Sequence, residues 1–222
     1  CLTTEQSAAY RRYQGDPDPR QLAHFFHFDD LDLQLIRRHH GRHQRLGFAL
    51  QLGTVRFLGA FLPNPLDVPL VVIQYVAHQL QIYDLASLPR YLDRDRTKAI
   101  HAQEIRDHYG YHDSTDAIWR FRLTRWLYQR AWLSNERTSI LFDHAVAWLM
   151  QSKVLLPGAS TLERLIVSIH ERVARRLWRK LANALTPEQQ TDLLTMLTVP
   201  TGKRQSHFEQ VRKSPRDASA RG

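Results

Sequence analysis

The sequence predicts an all-α fold, and three observations predict it. Apolar residues recur at three-to-four spacing in almost every ordered-looking stretch. No run of four to eight residues alternates like a half-buried strand between turn signals. Proline, glycine and capping patterns punctuate the chain at helix-length intervals. With 222 residues, 43% of them hydrophobic, the chain can bury a substantial core and has room for one large domain or two to three small ones.

Taken in order, Thr3 with Gln6 forms a capping-box pattern for a helix to about Tyr13. Gly15-Asp16-Pro17-Asp18-Pro19 then breaks the chain and starts a short helix through Phe26. Asp29 or Asp30 caps a helix that runs to His40 and stops at Gly41. The next helix, about 42–60, is expected to turn Leu46, Leu50, Val55 and Leu58 toward a core and its arginines outward. Two prolines cannot sit so close inside a helix, so Pro63-Asn64-Pro65 marks a boundary.

Beyond it, residues 68–82 are apolar around most of a helical circumference, as a buried element requires. Helices over about 85–91, 94–109, 114–133 and 137–154 follow, and Pro157-Gly158 marks a second boundary. Ser160 with Glu163 opens a basic helix of about 24 residues, striped by Leu162, Leu165, Ile166, Ile169, Val173 and Leu177. Thr186-Pro187-Glu188 starts a last short helix to Leu197. The expected organisation is a helix-turn-helix-like module over 1–62, a second over 66–156, the long and short helices over 159–198, and a flexible basic tail over 203–222.

Charge gives the first functional indication. Lys and Arg number 31 against 22 Asp and Glu, a formal net charge of +9, and most of the excess is arginine, whose planar fork suits phosphate and base edges. Nucleic acid is therefore the first partner to consider. Between Arg37 and Arg56 lie Arg38, Arg42 and Arg45, with His39, His40 and His43 and no carboxylate, which makes this the strongest candidate contact. Arg94, Arg96, Lys98 and His101 open a helix where free N–H groups favour phosphate, although Asp93 and Asp95 dilute the charge. Arg120, Arg122 and Arg125 interleave with Trp119, Phe121 and Trp126 on another helix, readable as a DNA contact or as a solvated face. Lys203, Arg204, Arg212 and Lys213 make a less specific phosphate clamp in the tail.

Other chemistries find little support. His24 with His27, and His39, His40 and His43, tempt a metal reading, but no ligand set of recognisable spacing completes one. Walker, GxGxxG, GxSxG and HExxH motifs are absent, so no catalytic residue, metal or cofactor is assigned. The lone Cys1 cannot form an internal disulfide and no stretch approaches the ~20 apolar residues of a membrane span, so a soluble intracellular protein is expected. A chain that starts with Cys rather than Met reads as a possible fragment. Gly41, Gly47, Gly53 and Gly59 recur every six residues, three of them inside a predicted helix, which points to close packing of another helix or, as the weaker reading, close approach of a phosphate backbone. Trp119, Trp126, Trp132, Trp148 and Trp178 fall on apolar helical faces and are expected in the core.

The segments GDPDPRQLAHFF (15–26) and IRRHHGRHQRLGFALQLGTVRFLG (36–59) closely resemble the N-terminal region of Tn-three-family replicative transposases. TKAIHAQEIRDHYGY (97–111), WLYQRAW (126–132) and KVLLPGASTL (153–162) look like later signatures of the same region, in the same order, so the resemblance covers nearly the whole chain. One departure is Gln44, where the family pattern carries Asn. The resemblance implies a helical part that binds double-stranded DNA at the transposon's terminal inverted repeats. It also implies that the RNase H-like catalytic core lies downstream, that the fragment binds without cleaving, that self-association occurs through the parent transposase, and that the setting is the bacterial cytoplasm at the nucleoid. The rival readings are a catalytically competent transposase described from its full-length parent, and a helical protein-interaction module whose basic face is merely solvated.

Overall fold

The computed structural model describes residues 4–134, 136–202 and 204–212. Its helices are α1 (Thr4–Ala9), α2 (Pro19–Phe25), α3 (Asp30–Arg37), α4 (Arg42–Leu58), α5 (Leu70–Gln79), α6 (Asp95–Tyr109), α7 (Ala117–Leu133), α8 (Thr138–Gln151), α9 (Ala159–Ala184), α10 (Pro187–Leu197) and α11 (His207–Arg212), with a 3₁₀ turn at Leu88–Leu92. Among the described residues the extended pairing is limited to an isolated bridge between His112 and Val154. The all-α expectation holds.

Local chemistry explains the helix starts. The Asp18 carboxylate accepts the Arg20 and Gln21 N–H groups at 2.8 Å each, Gln21 accepts the Asp18 N–H in return, and Pro19 supplies a preset φ at the first helical position. Asp29 and Asp32 make the same reciprocal pair at the start of α3. The capping expected of Thr3 lies outside the described residues, and α1 ends at Ala9 rather than near Tyr13. A stretch read as a helix near 85–91 shortens to the 3₁₀ turn, because Pro89 can donate no backbone hydrogen bond.

The chain divides into Cys1–His170 and Glu171–Gly222, a division that falls within α9. In the first unit α4 is central: it packs against α2, α3, α5, the 3₁₀ turn and α6, and every residue from Leu46 to Val55 is buried. An exposed arginine face on this helix was expected, and only its first turn provides one. One buried cluster contains Leu22, Phe26, Leu35, Phe48, Val72, Val76 and Ile105, so the core is continuous across Pro63-Asn64-Pro65, which is a bend within it. The Leu156 N–H donates to the Gly59 carbonyl at 2.9 Å and the Tyr10 hydroxyl to the Pro157 carbonyl at 2.8 Å, so Pro157-Gly158 is likewise anchored to the first helices.

The glycine period has a steric cause. A Cβ on Gly47 would overlap the ring of Tyr91, and one on Gly53 the ring of fully buried Phe26, so two of the four glycines admit aromatic rings against the α4 backbone. Gly41 (φ +86°) and Gly59 (φ +67°) instead enter and close α4 in left-handed geometry. Gly53→Ala gains about 1 kcal/mol of helix propensity but must displace a packed ring, so a net loss of about 1–2 kcal/mol is expected in chemical denaturation. An increase in stability would show that Phe26 yields freely.

Arg56 departs most from its predicted role. Its guanidinium makes two 2.8 Å bonds to the buried Asp32 carboxylate, which also accepts the Tyr109 hydroxyl at 2.6 Å, and the guanidinium lies 5.1 Å from the Tyr109 ring centroid. Burial alone would raise the Asp32 carboxyl, yet the hydrogen bonds from Arg56 and Tyr109 hold it below the usual carboxylate range. Arg56 is therefore an internal strut joining α3, α4 and α6.

α7, which buries Leu123 and Leu127, packs on α8, which buries Leu141, Phe142, Ala145 and Leu149, with Trp126 stacked 6.0 Å from Trp148. Trp119, Trp126, Trp132 and Trp148 are half-buried at this joint, not wholly inside as expected. Trp178 is 69% exposed. It belongs to Glu171–Gly222, where the buried residues described are Val173 and Ser206, too little apolar layering to enclose an indole. In that second unit Thr186 and Gln189 cap α10 reciprocally, and α11 occupies part of the stretch expected to be a flexible tail, its start capped by Ser206 and Glu209.

Candidate nucleic-acid interface

α3 ends at Arg37 and the chain turns through Arg38–Gly41 into α4. Arg37, Arg38, His40 and Arg42 are exposed on this turn, with His43 and Arg45 half-buried. The turn is fixed from beneath: Arg45 Nε donates to the His39 carbonyl at 2.9 Å, and the His39 ring lies 4.3 Å from both Phe48 and His101. Arg45, held in this way, loses less rotamer freedom on meeting a ligand than an untethered cation does.

The start of α4 faces the 3₁₀ turn and the start of α6. His43 and Gln44 on one side, and Arg90, Tyr91, Asp93, Arg94 and Thr97 on the other, line a polar cleft of about 290 Å³. Two basic clusters about fifty residues apart in sequence thus meet in space. Neither α4 behind Gly41 nor α6 behind Arg94 has a side-chain cap on its first N–H groups, which leaves donors of the kind that phosphates accept. Sequence reasoning missed Arg90, which stands four residues before the basic run over 94–98 and outside the helix expected to carry it.

Other predicted residues sort by environment. Arg96 is exposed, whereas Lys98 Nζ lies 2.6 Å from the exposed Asp95 carboxylate and must exchange that partner to hold a phosphate. His101 is 3% exposed, so the structure places it beneath the surface. Gln51 donates to the Tyr91 hydroxyl at 2.7 Å, and that hydroxyl lies 2.8 Å from His101 Nδ1. With its oxygen already accepting, Tyr91 donates to Nδ1, which fixes the neutral tautomer. Burial, with the neighbouring His39, pushes His101 down to about 4.

A depressed histidine contributes stability that is complete above its unfolded value, near 6.5, and is lost as pH falls toward the folded one. Between pH 6.5 and 5 the chain should lose about 2 kcal/mol through this group. Denaturant titrations of wild type and His101→Asn at both values check it, the variant showing the flatter profile. Equal pH dependence would remove His101 as the cause.

Arg120, Arg122 and Arg125 are exposed on α7, with Arg122 lying 4.7 Å from the Trp119 ring centroid. They form a surface distinct from the cleft. Arg204 is exposed, Arg212 closes α11, and Lys203 and Lys213 lie outside the described residues. Among the described residues there is no group of three or more His, Cys, Asp or Glu placed to hold a metal, and no helix is long and apolar enough to cross a membrane.

Fold and surface together define an all-helical, arginine-rich chain in which cations from two helix starts meet at a polar cleft. Residues 1–169 match a family described as a domain of unknown function, DUF4158. The chain is 49% identical over 96% of its length to the transposase for transposon gamma-delta of Escherichia coli K12, 31% identical over 89% to that for Tn1546 of Enterococcus faecium, and 32% identical over 90% to that for Tn501 of Pseudomonas aeruginosa. It covers 21%, 19% and 20% of these relatives, about a fifth of their length. The chain belongs to the DUF4158 family, as found in the N-terminal region of Tn-three-family transposases.

Proposed function

We propose that this chain binds double-stranded DNA at the terminal inverted repeats of a transposon, as the end-recognition part of a DNA transposase acting at the bacterial nucleoid. The observation that carries the reading is the convergence of the α4 start, bearing Arg42 and His43, with Arg90 and Arg94 on one cleft. Such a cleft holds a backbone phosphate, while the exposed turn Arg37–Arg42 beside it reaches neighbouring phosphates and base edges. Strand cleavage and joining are assigned to the part of such a transposase that this chain does not match, since it covers only about a fifth of each transposase relative.

A salt-titrated mobility shift tests this with an inverted-repeat end and a scrambled duplex of equal length and composition. A preference of tenfold or more, about 1.4 kcal/mol, is expected. Equal and equally salt-dependent binding to both would overturn end recognition and leave a generic basic protein.

A further inference from the structure

We propose a second DNA anchor, resting on the reading above: the pocket between α7 and the start of α9 takes one sugar-phosphate unit of the bound strand. This pocket has a volume of about 500 Å³, within the range of sites that hold small organic groups. Its floor is apolar, made by the buried Leu123, Leu149, Val154 and Leu162. Two exposed arginines from different helices, Arg120 and Arg164, stand at its mouth.

The chemistry favours a nucleotide unit over an apolar peptide. Among the described residues the lining carries two guanidinium groups, several hydroxyls including Thr161 and Ser168, and no carboxylate. The two nearby aspartates are occupied elsewhere: Asp113 accepts the Thr115 N–H and hydroxyl at 2.8 and 2.7 Å, and Asp116 caps α7 through the Ile118 and Trp119 N–H groups. Arg164 is tethered through Nε to the Ser160 carbonyl at 3.3 Å, a bond that does not use its two terminal nitrogens. Trp119, which lines the pocket, has both the Arg122 guanidinium and the His112 ring 4.7 Å from its ring centroid. From Ala117 to Leu133 α7 contains no acidic residue, so the positive field continues along the helix away from the pocket. A deoxyribose suits the apolar floor and its phosphate the arginine fork.

Hydroxyl-radical footprinting of an inverted-repeat duplex, with the full chain, tests the assignment. Two variants are used: Arg120→Ala with Arg164→Ala, which changes only exposed side chains, and Ser168→Phe, which fills the pocket without altering charge. Both should lose protection over a few nucleotides at one edge of the footprint while protection around the α4–α6 cleft persists, with affinity five- to tenfold weaker. The arginine pair alone should lower the salt slope by about one, since the fork neutralises a single phosphate. An unchanged footprint in both variants would overturn the pocket assignment and leave the cleft reading standing. Absence of any wild-type footprint would overturn both, and circular dichroism matching wild type certifies that a lost edge reflects contact rather than unfolding.

Discussion

Replacing Arg42, Arg90 and Arg94 together by alanine should weaken binding to an inverted-repeat duplex about a hundredfold at physiological salt. It should also reduce the slope of log K against log salt by about two, one phosphate being held by Arg90 with Arg94 in the cleft and one by Arg42 beside it. The slope follows from counterion release, since each phosphate neutralised contributes about 0.9, and the affinity from three charge-assisted contacts worth about 1 kcal/mol each after desolvation. All three side chains are exposed, and the cleft they surround is lined by Arg90 and Arg94 directly. Their removal should leave the unfolding free energy within a few tenths of a kcal/mol of wild type. Arg38→Ala is expected to cost less, because Arg38 shares a shallow depression on α3 and α6 with Glu104 and Asp107, whose carboxylates already offset its charge. Salt-titrated mobility shifts of the triple and single variants measure both quantities. An unchanged slope in the triple variant would remove the cleft from the interface.

Much of this arrangement is legible in the sequence, because helix ends are local chemistry. Asp18-Pro19, Asp29, Gly110 and Thr186-Pro187 each mark a helix end where the pattern places it, whereas α3 stops at Arg37, short of the expected His40, and Gly59, read inside a helix, closes α4. The glycine period was also readable as close packing, though not that Tyr91 and Phe26 would fill the space. What periodicity could not supply is the set of neighbours. α4 reads as an amphipathic helix, yet it is enclosed on nearly all sides because five other elements happen to pack around it. Arg56 and His101 therefore turn inward, and Arg90 joins the cleft from the 3₁₀ turn that precedes the basic run over 94–98. A cleft formed by two distant helix starts is a tertiary object, and no window of residues encodes it.

The same distinction between exposed and inward cations gives the largest expected stability effect. Arg56→Ala should destabilise the chain by about 3–5 kcal/mol, because it strands the Asp32 carboxylate, 4% exposed, without its bidentate partner. Its DNA salt slope should not change, the opposite pattern to the cleft arginines. Asp32→Asn with Arg56→Met should recover much of the loss, since a neutral pair of similar volume removes the unpaired charge and Tyr109 still finds an acceptor at residue 32. The pH dependence supplies an independent check. Asp32 is held below the usual carboxylate range, so its contribution is complete above an unfolded value near 4 and is lost as pH falls through the folded value. Wild type should accordingly lose stability below about pH 4 more steeply than the double variant. If Arg56→Ala instead leaves the unfolding free energy near wild type and lowers the salt slope, Arg56 contacts the phosphate backbone after all, and the strut joining α3, α4 and α6 is dispensable.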